Sequence, residues 1–257
     1  MSLARLFLAD AALFALSVSR IAGFVLVSPF PGKNVGTTQR VGLVVVLAWI
    51  VSAFAPKAEG LANGLEVAWS AIPEVACGLF IGMAFRFVFA SAEVLGSVAG
   101  QMTGLGTPSV LNPTLDTTET PIARIVELVA MLLALSMGVH RVALAGLLES
   151  FRAIPVGSAM SLDAPLMRFV DLATTSFVVG VRLAMPVVAV ALVVHAAMAM
   201  ISRAAPSLQI FSVGIAVLLA ATGATLVASL GDVFRGLSGY FAQLASAVDL
   251  ILTDLRP

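Results

Sequence analysis

Six stretches of the sequence, 6–27, 41–55, 72–102, 121–139, 172–201 and 207–230, are apolar over nearly their whole length. A helix crossing the hydrocarbon core of a bilayer needs about 20 such residues. The pattern therefore predicts an all-α polytopic membrane protein with about six hydrophobic helices, organised as a single integral membrane domain over 1–257. Composition agrees: 60% of residues are hydrophobic and 11% charged, against about 45–50% and 25% in an ordinary soluble domain. Fourteen Lys and Arg balance fourteen Asp and Glu, which leaves no basic surface to hold nucleic-acid phosphates. Cys77 is the one cysteine, and His140 and His195 are the two histidines; this excludes an intrachain disulfide and a Cys/His zinc site. No cofactor is expected.

The first stretch carries Asp10 and Arg20 and stops at Ser28-Pro29-Phe30-Pro31-Gly32, a helix-ending run. Its length and the lack of an Ala-x-Ala exit argue against a cleaved signal peptide. The second is short for a full crossing. The third, at 31 residues, exceeds one crossing and must tilt, bend or protrude. Thr120 is placed as the N-cap of the fourth, with Pro121 at the first helical position. Pro186 removes a backbone donor inside the fifth, which predicts a kink near Met185. An amphipathic piece at 142–151 follows the fourth stretch. Beyond the sixth, the spacing of Phe234, Leu237, Phe241, Leu244, Val248, Ile251 and Leu255 marks 232–257 as an amphipathic helix that would lie on a surface or a partner. With alternating crossings, Arg5, Lys57, Arg141, Arg152, Arg168, Arg235 and Arg256 fall on one side against Lys33, Arg40 and Arg203 on the other. That bias places both termini in the cytoplasm.

Arg86, Glu93, Arg124, Glu127 and Arg182 sit inside apolar stretches, where an ion at mid-helix costs about 2.5–3.5 kcal/mol on insertion scales. They are expected to be buried against protein, water or each other, either as interior pairs holding helices in register or as a proton or ion path. Arg124 and Glu127 are three apart and can pair along their own helix. Arg86, Glu93 and Gly100 share one face of the third helix. On the same side, Gly96-x-x-x-Gly100-x-x-x-Gly104 leaves a groove for another backbone to approach. Ala216, Ala220, Ala224 and Ala228 form a second ladder of small residues. Both ladders predict tight helix packing, within the chain or against another subunit.

Gly-x-Ser-x-Gly, His-Glu-x-x-His and phosphate-cradling glycine loops do not occur, so an enzyme is not expected. Between the third and fourth helices, 103–120 is rich in Thr, Pro and Gly, has no Lys or Arg, and holds Leu105, Val110, Leu111 and Leu115 among its turn residues. A loop this long is usually functional or disordered. Its apolar residues suit packing into a pore mouth; a passive external connection is the alternative.

Gly96-Ser-Val-Ala-Gly-Gln-Met-Thr-Gly-Leu-Gly106, followed by Asn112-Pro113, resembles the G-x-x-x-G-Q-M-G-x-G…P stretch of the FliR/SctT family. Arg182-Leu-Ala-Met-Pro186, and Ser202-Arg203-Ala-Ala-Pro206 followed by Gln209, Phe211 and Gly214, are similar to two further blocks of that family. Arg20…Pro29 and the Glu74…Gly78…Gly82 run into Arg86 also match. The resemblance covers nearly the whole chain. Thr103 stands where the family has Gly, and 212–217 lacks a Pro often found there.

The resemblance implies an integral subunit of the type III protein export apparatus of the bacterial inner membrane, in a flagellar basal body or an injectisome base. The absence of an extended tail favours the flagellar machine. One copy would complete a closed channel with FliP/SctR-like and FliQ/SctS-like subunits, its helices bent into hairpins, beside FlhB/SctU-like and FlhA/SctV-like components. The loop at 103–120 would plug the channel until unfolded export substrates pass. Gln101 and Met102 would line its root, Gly104 and Gly106 would let it move, and Pro108 and Pro113, the latter beside Asn112, would limit its collapse. Arg203 and Pro206 belong to a further family loop. The rival reading is a self-contained small-solute or proton transporter using Arg86, Glu93, Arg182 and His195; no internal repeat relating the halves supports it. A scaffold that only organises partners is the third.

Overall fold

The structure, a computed structural model, describes residues 3–30, 32, 35–54, 64–104, 120–158, 163–204 and 210–255. Among the described residues there are nine α-helices and no strand. They are α1 Leu3–Val27, α2 Thr37–Ser52, α3 Gly64–Met102, α4 Pro121–Ser136, α5 Val139–Ala153, α6 Asp163–Ala204, α7 Ile210–Ala228, α8 Leu230–Ala242 and α9 Leu244–Asp254. The chain is thus the all-α protein its apolar stretches predict. Lys33, Lys57 and Arg256, on which the charge asymmetry partly rests, lie outside the described residues.

By length and composition, α3 and the Leu166–Arg203 part of α6 can each cross a membrane, and two bent pairs raise the number to four if each pair is one span. The apolar part of α1, Ala11–Val27, and α2 are shorter. The 39 residues of α3 extend about 58 Å at 1.5 Å per residue, so the helix exceeds a hydrocarbon core of about 30 Å. The bends fall in the fourth and sixth stretches: α4 meets α5 at 65°, and α7 meets the tail at 54°. Gly138 makes the first bend with a left-handed φ of 74°, a conformation that costs other residues about 1–2 kcal/mol. The fifth stretch, where Pro186 predicts a kink, is one continuous helix from Asp163 to Ala204.

The chain divides into two compact units. Unit 1 comprises 1–88, 138–173 and 242–257. Its core holds Phe24 edge-on to Phe85 at 6.3 Å and Phe80 stacked on Phe169 at 5.0 Å. Val248 of α9 packs at Gly146 of α5, where a Cβ would lie 2.7 Å from its methyl, and Arg168 pairs with Asp254. Unit 2 comprises 89–137 and 174–241. Ala92, Leu95, Val126, Ala130, Ala184, Val233 and Leu237 form one buried cluster there. Phe89 stacks on Phe241 at 5.2 Å, and the Ser176 and Tyr240 hydroxyls are hydrogen-bonded at 2.8 Å.

The amphipathic tail corrects an expectation. Of the residues expected on its apolar face, Leu237, Phe241, Leu244, Val248, Ile251 and Leu255 are buried within the chain rather than laid on an outside surface, while Phe234 is exposed and its neighbour Val233 is buried instead. The repeat of three and four fixes which face a helix buries, not what covers it.

Candidate functional site

The first candidate site lies in unit 1, where α1 and α3 touch backbone to backbone. A Cβ on Gly78 would lie 1.8 Å from the Arg20 carbonyl oxygen, one on Gly82 would lie 2.7 Å from that of Phe24, and one on Gly23 would lie 2.4 Å from that of Val75. Only glycine fits at these positions, and the small residues four apart on α3 let the helices close as membrane helix pairs do. This approach sets Arg20 beside Glu74. The two side chains are 1% and 2% exposed, and Arg20 Nε donates to Glu74 Oε2 at 2.6 Å.

Every partner of this pair belongs to the end of α5 or the turn after it. Arg20 Nη1 donates to the Ser150 carbonyl at 2.8 Å and, with Nη2, to the Ile154 carbonyl at 3.1 Å. A cation there satisfies orphan carbonyls and faces the negative end of the helix dipole. The guanidinium also lies over the Phe151 ring, 4.4 Å from its centroid. The other oxygen of Glu74, Oε1, accepts from the Gly157 N–H at 2.8 Å. Two charges thus tie α1, α3 and α5 together with their hydrogen-bonding groups engaged, the condition under which a buried ion pair is tolerated.

The second candidate site lies in unit 2, at the root of the 103–120 loop. Thr120 caps α4 as expected: its side chain accepts from the Ala123 N–H at 3.2 Å, and Pro121 follows at the first helical position. The cap sits in the glycine groove of α3. A Cβ on Gly100 would fall 1.8 Å from Thr120 Oγ1, and one on Gly96 would fall 2.9 Å from Ala123 Cα. At the other foot, buried Thr103 donates its hydroxyl to the Gly100 carbonyl at 2.6 Å. Gly104 then ends α3 with a left-handed φ of 77° and faces Leu218 of α7, 3.4 Å from a built Cβ. Both feet of the 103–120 segment, Thr103 and Thr120, therefore converge on Gly100. Thr103, where the resemblance implies Gly, has no positive φ.

The other predicted residues are placed as follows. Gln101 is exposed and donates to Ser97 Oγ at 3.2 Å, and Met102 is half-buried. Gly106, Pro108, Asn112, Pro113 and Pro206 lie outside the described residues. Gly96 and Gly100 pack against α4 of the same chain, whereas Ala216, Ala220, Ala224 and Ala228 are exposed. Arg124 donates to Glu127 at 2.9 Å, the expected local pair. Of the five charges expected to be buried, Arg86, Glu93, Arg124 and Glu127 are half-buried and Arg182 is exposed, as is Arg203. Among the described residues the fully buried charges are Arg20 and Glu74, which the sequence reading did not single out as buried. The available signal was one cation and one anion in different apolar stretches, the anion followed by Gly78-x-x-x-Gly82.

The family model "Bacterial export proteins, family 1" matches residues 11–244. The chain is 28% identical to the flagellar biosynthetic protein FliR of Aquifex aeolicus (strain VF5) over 243 residues, 94% of each chain. It is 26% identical to the Bacillus subtilis (strain 168) protein of that name over 225 residues, 86% of this chain and 87% of the relative. With the Escherichia coli (strain K12) protein of that name the identity is 23% over 223 residues, 87% of this chain and 84% of the relative.

Proposed function

The chain belongs to the bacterial export proteins, family 1, and from that premise we propose that it is an integral membrane subunit of the flagellar protein export apparatus. The relatives named above are all flagellar biosynthetic proteins, which favours the flagellar machine over an injectisome. In this reading the subunit resides in the bacterial inner membrane and completes, with FliP-like and FliQ-like subunits, a channel for unfolded export substrates. FlhB-like and FlhA-like components would adjoin it. Its work is gating and conduction, without covalent chemistry.

The loop at 103–120 is the gate in this proposal, and the convergence of its two feet on Gly100 carries it. Thr103 bonds the Gly100 carbonyl and Thr120 fills the space above its Cα, so 105–119 leave and return at one turn of α3. A loop tethered this way can swing or unseat without pulling α3 and α4 apart. The glycine at 104 provides the left-handed exit that other residues resist. Deleting 110–118 keeps both feet and should leave the complex assembled while raising ion leakage through closed channels in planar bilayers. Unchanged conductance in an assembled deletion complex would remove the plug assignment.

A further inference from the structure

Arg182 stands in the apolar part of α6, is exposed, and among the described residues makes no hydrogen bond or ion pair. The other charges within apolar stretches differ: Arg86 and Glu93 are engaged, and Arg124 and Glu127 hold each other. Pro186, four residues on, has no N–H to give the Arg182 carbonyl. One turn of helix therefore presents both an unmatched guanidinium and a carbonyl without its helical donor. The face around them is apolar, with Val178 and Met185 each 55% exposed and Leu192 62% exposed. Arg182 lies 10 residues from Leu172 and 19 from Ile201 within that stretch. The nearer end is about 15 Å away at 1.5 Å per residue, farther than an arginine side chain reaches.

We propose that this face of α6 is an interface with a second membrane subunit, whose apolar helix supplies an Asp or Glu carboxylate to Arg182. The inference rests on the subunit reading above and names the chemistry of one of its contacts. A carboxylate matches the planar donor fork of arginine with two parallel bonds. Intramembrane ions almost always face such partners rather than lipid.

The test uses the full chain in its own membrane with a photo-crosslinking amino acid in place of Met185, one turn from Arg182 on the same face. The expected product is a protein adduct whose cross-linked peptide carries an Asp or Glu within an apolar run. Arg182→Ala should lower its yield by about tenfold or more, the effect of leaving one member of a buried pair alone. Exchanging the charges, Arg182→Glu with the partner carboxylate changed to Arg, should restore it. An adduct to lipid alone, a peptide without Asp or Glu, or a yield unchanged by Arg182→Ala overturns the interface. The adduct of the chain that keeps Arg182 decides the first two outcomes whatever the folding of the variants. Purification of the chain with no other membrane subunit would overturn the subunit reading, and this inference with it; co-purified partners with a lipid-only adduct overturn the interface alone.

Discussion

Replacing Glu74 by Ala strips the partner from a guanidinium that is 1% exposed. Removing one member of a buried pair destabilises by about 3–5 kcal/mol, because the remaining charge stays out of water. The Gly157 N–H, bonded to Glu74 at 2.8 Å, loses its acceptor and adds about 1 kcal/mol. A loss of about 4–6 kcal/mol is a large part of a margin of roughly 5–15 kcal/mol. The double variant Arg20→Met, Glu74→Leu removes both charges at similar volume, an exchange that is often close to neutral. It leaves the Gly157 N–H without its acceptor, as the single variant does, and the Ile154 carbonyl, which both Arg20 Nη atoms hold at 3.1 Å, without that donor, together at about 2–4 kcal/mol. The double variant should therefore be more stable than Glu74→Ala alone. The assay is SDS titration of the full chain in mild-detergent micelles, with helical content read by circular dichroism. A Glu74→Ala loss under about 1 kcal/mol, or a double variant no more stable than the single, would refute this account of the anchor.

Gly78→Ala should sharply lower stability in the same titration, since its Cβ would lie 1.8 Å from the Arg20 carbonyl oxygen and 2.8 Å from the Phe24 nitrogen. Gly223→Ala, with nothing within 4 Å of the new Cβ, should instead gain up to about 1 kcal/mol from helix propensity. Thr120→Ala removes the α4 cap and should cost about 1 kcal/mol; in the assembled complex it should raise leakage less than the 110–118 deletion does. A leak as large as the deletion's would mean that the cap, not the loop body, blocks the channel.

Local signals were legible in the sequence, and destinations were not. The cap at Thr120, the proline after it and the Arg124–Glu127 pair were each readable because their partners lie three or fewer residues away. The glycine face of α3 was readable as a groove, but the sequence left open whether a neighbouring subunit or the chain itself fills it; Thr120 and Ala123 do so. The Arg20–Glu74 pair spans 54 residues, and its remaining bonds come from residues 83 to 134 away in sequence. Glu74 also stands near the start of an apolar stretch, where water offers a plausible alternative to burial. The bends had no proline to announce them: one uses Gly138 in a left-handed turn and the other breaks at Ser229.

Two parts of α3 use one device to different ends. In unit 1, Gly78 and Gly82 admit the α1 backbone, and the contact is fastened by a buried, fully engaged ion pair. In unit 2, Gly96 and Gly100 admit the start of α4, and the contact is fastened by a threonine cap and one hydroxyl-to-carbonyl bond. The first fastening is worth several kcal/mol against loss of one charge, and each bond of the second about 1 kcal/mol. Segments that move in function come from the less stable end of a structure. In the proposed gating role, this inequality would give rigidity to the anchor and motion to the loop root, so Glu74→Ala should act on folding and Thr120→Ala on gating.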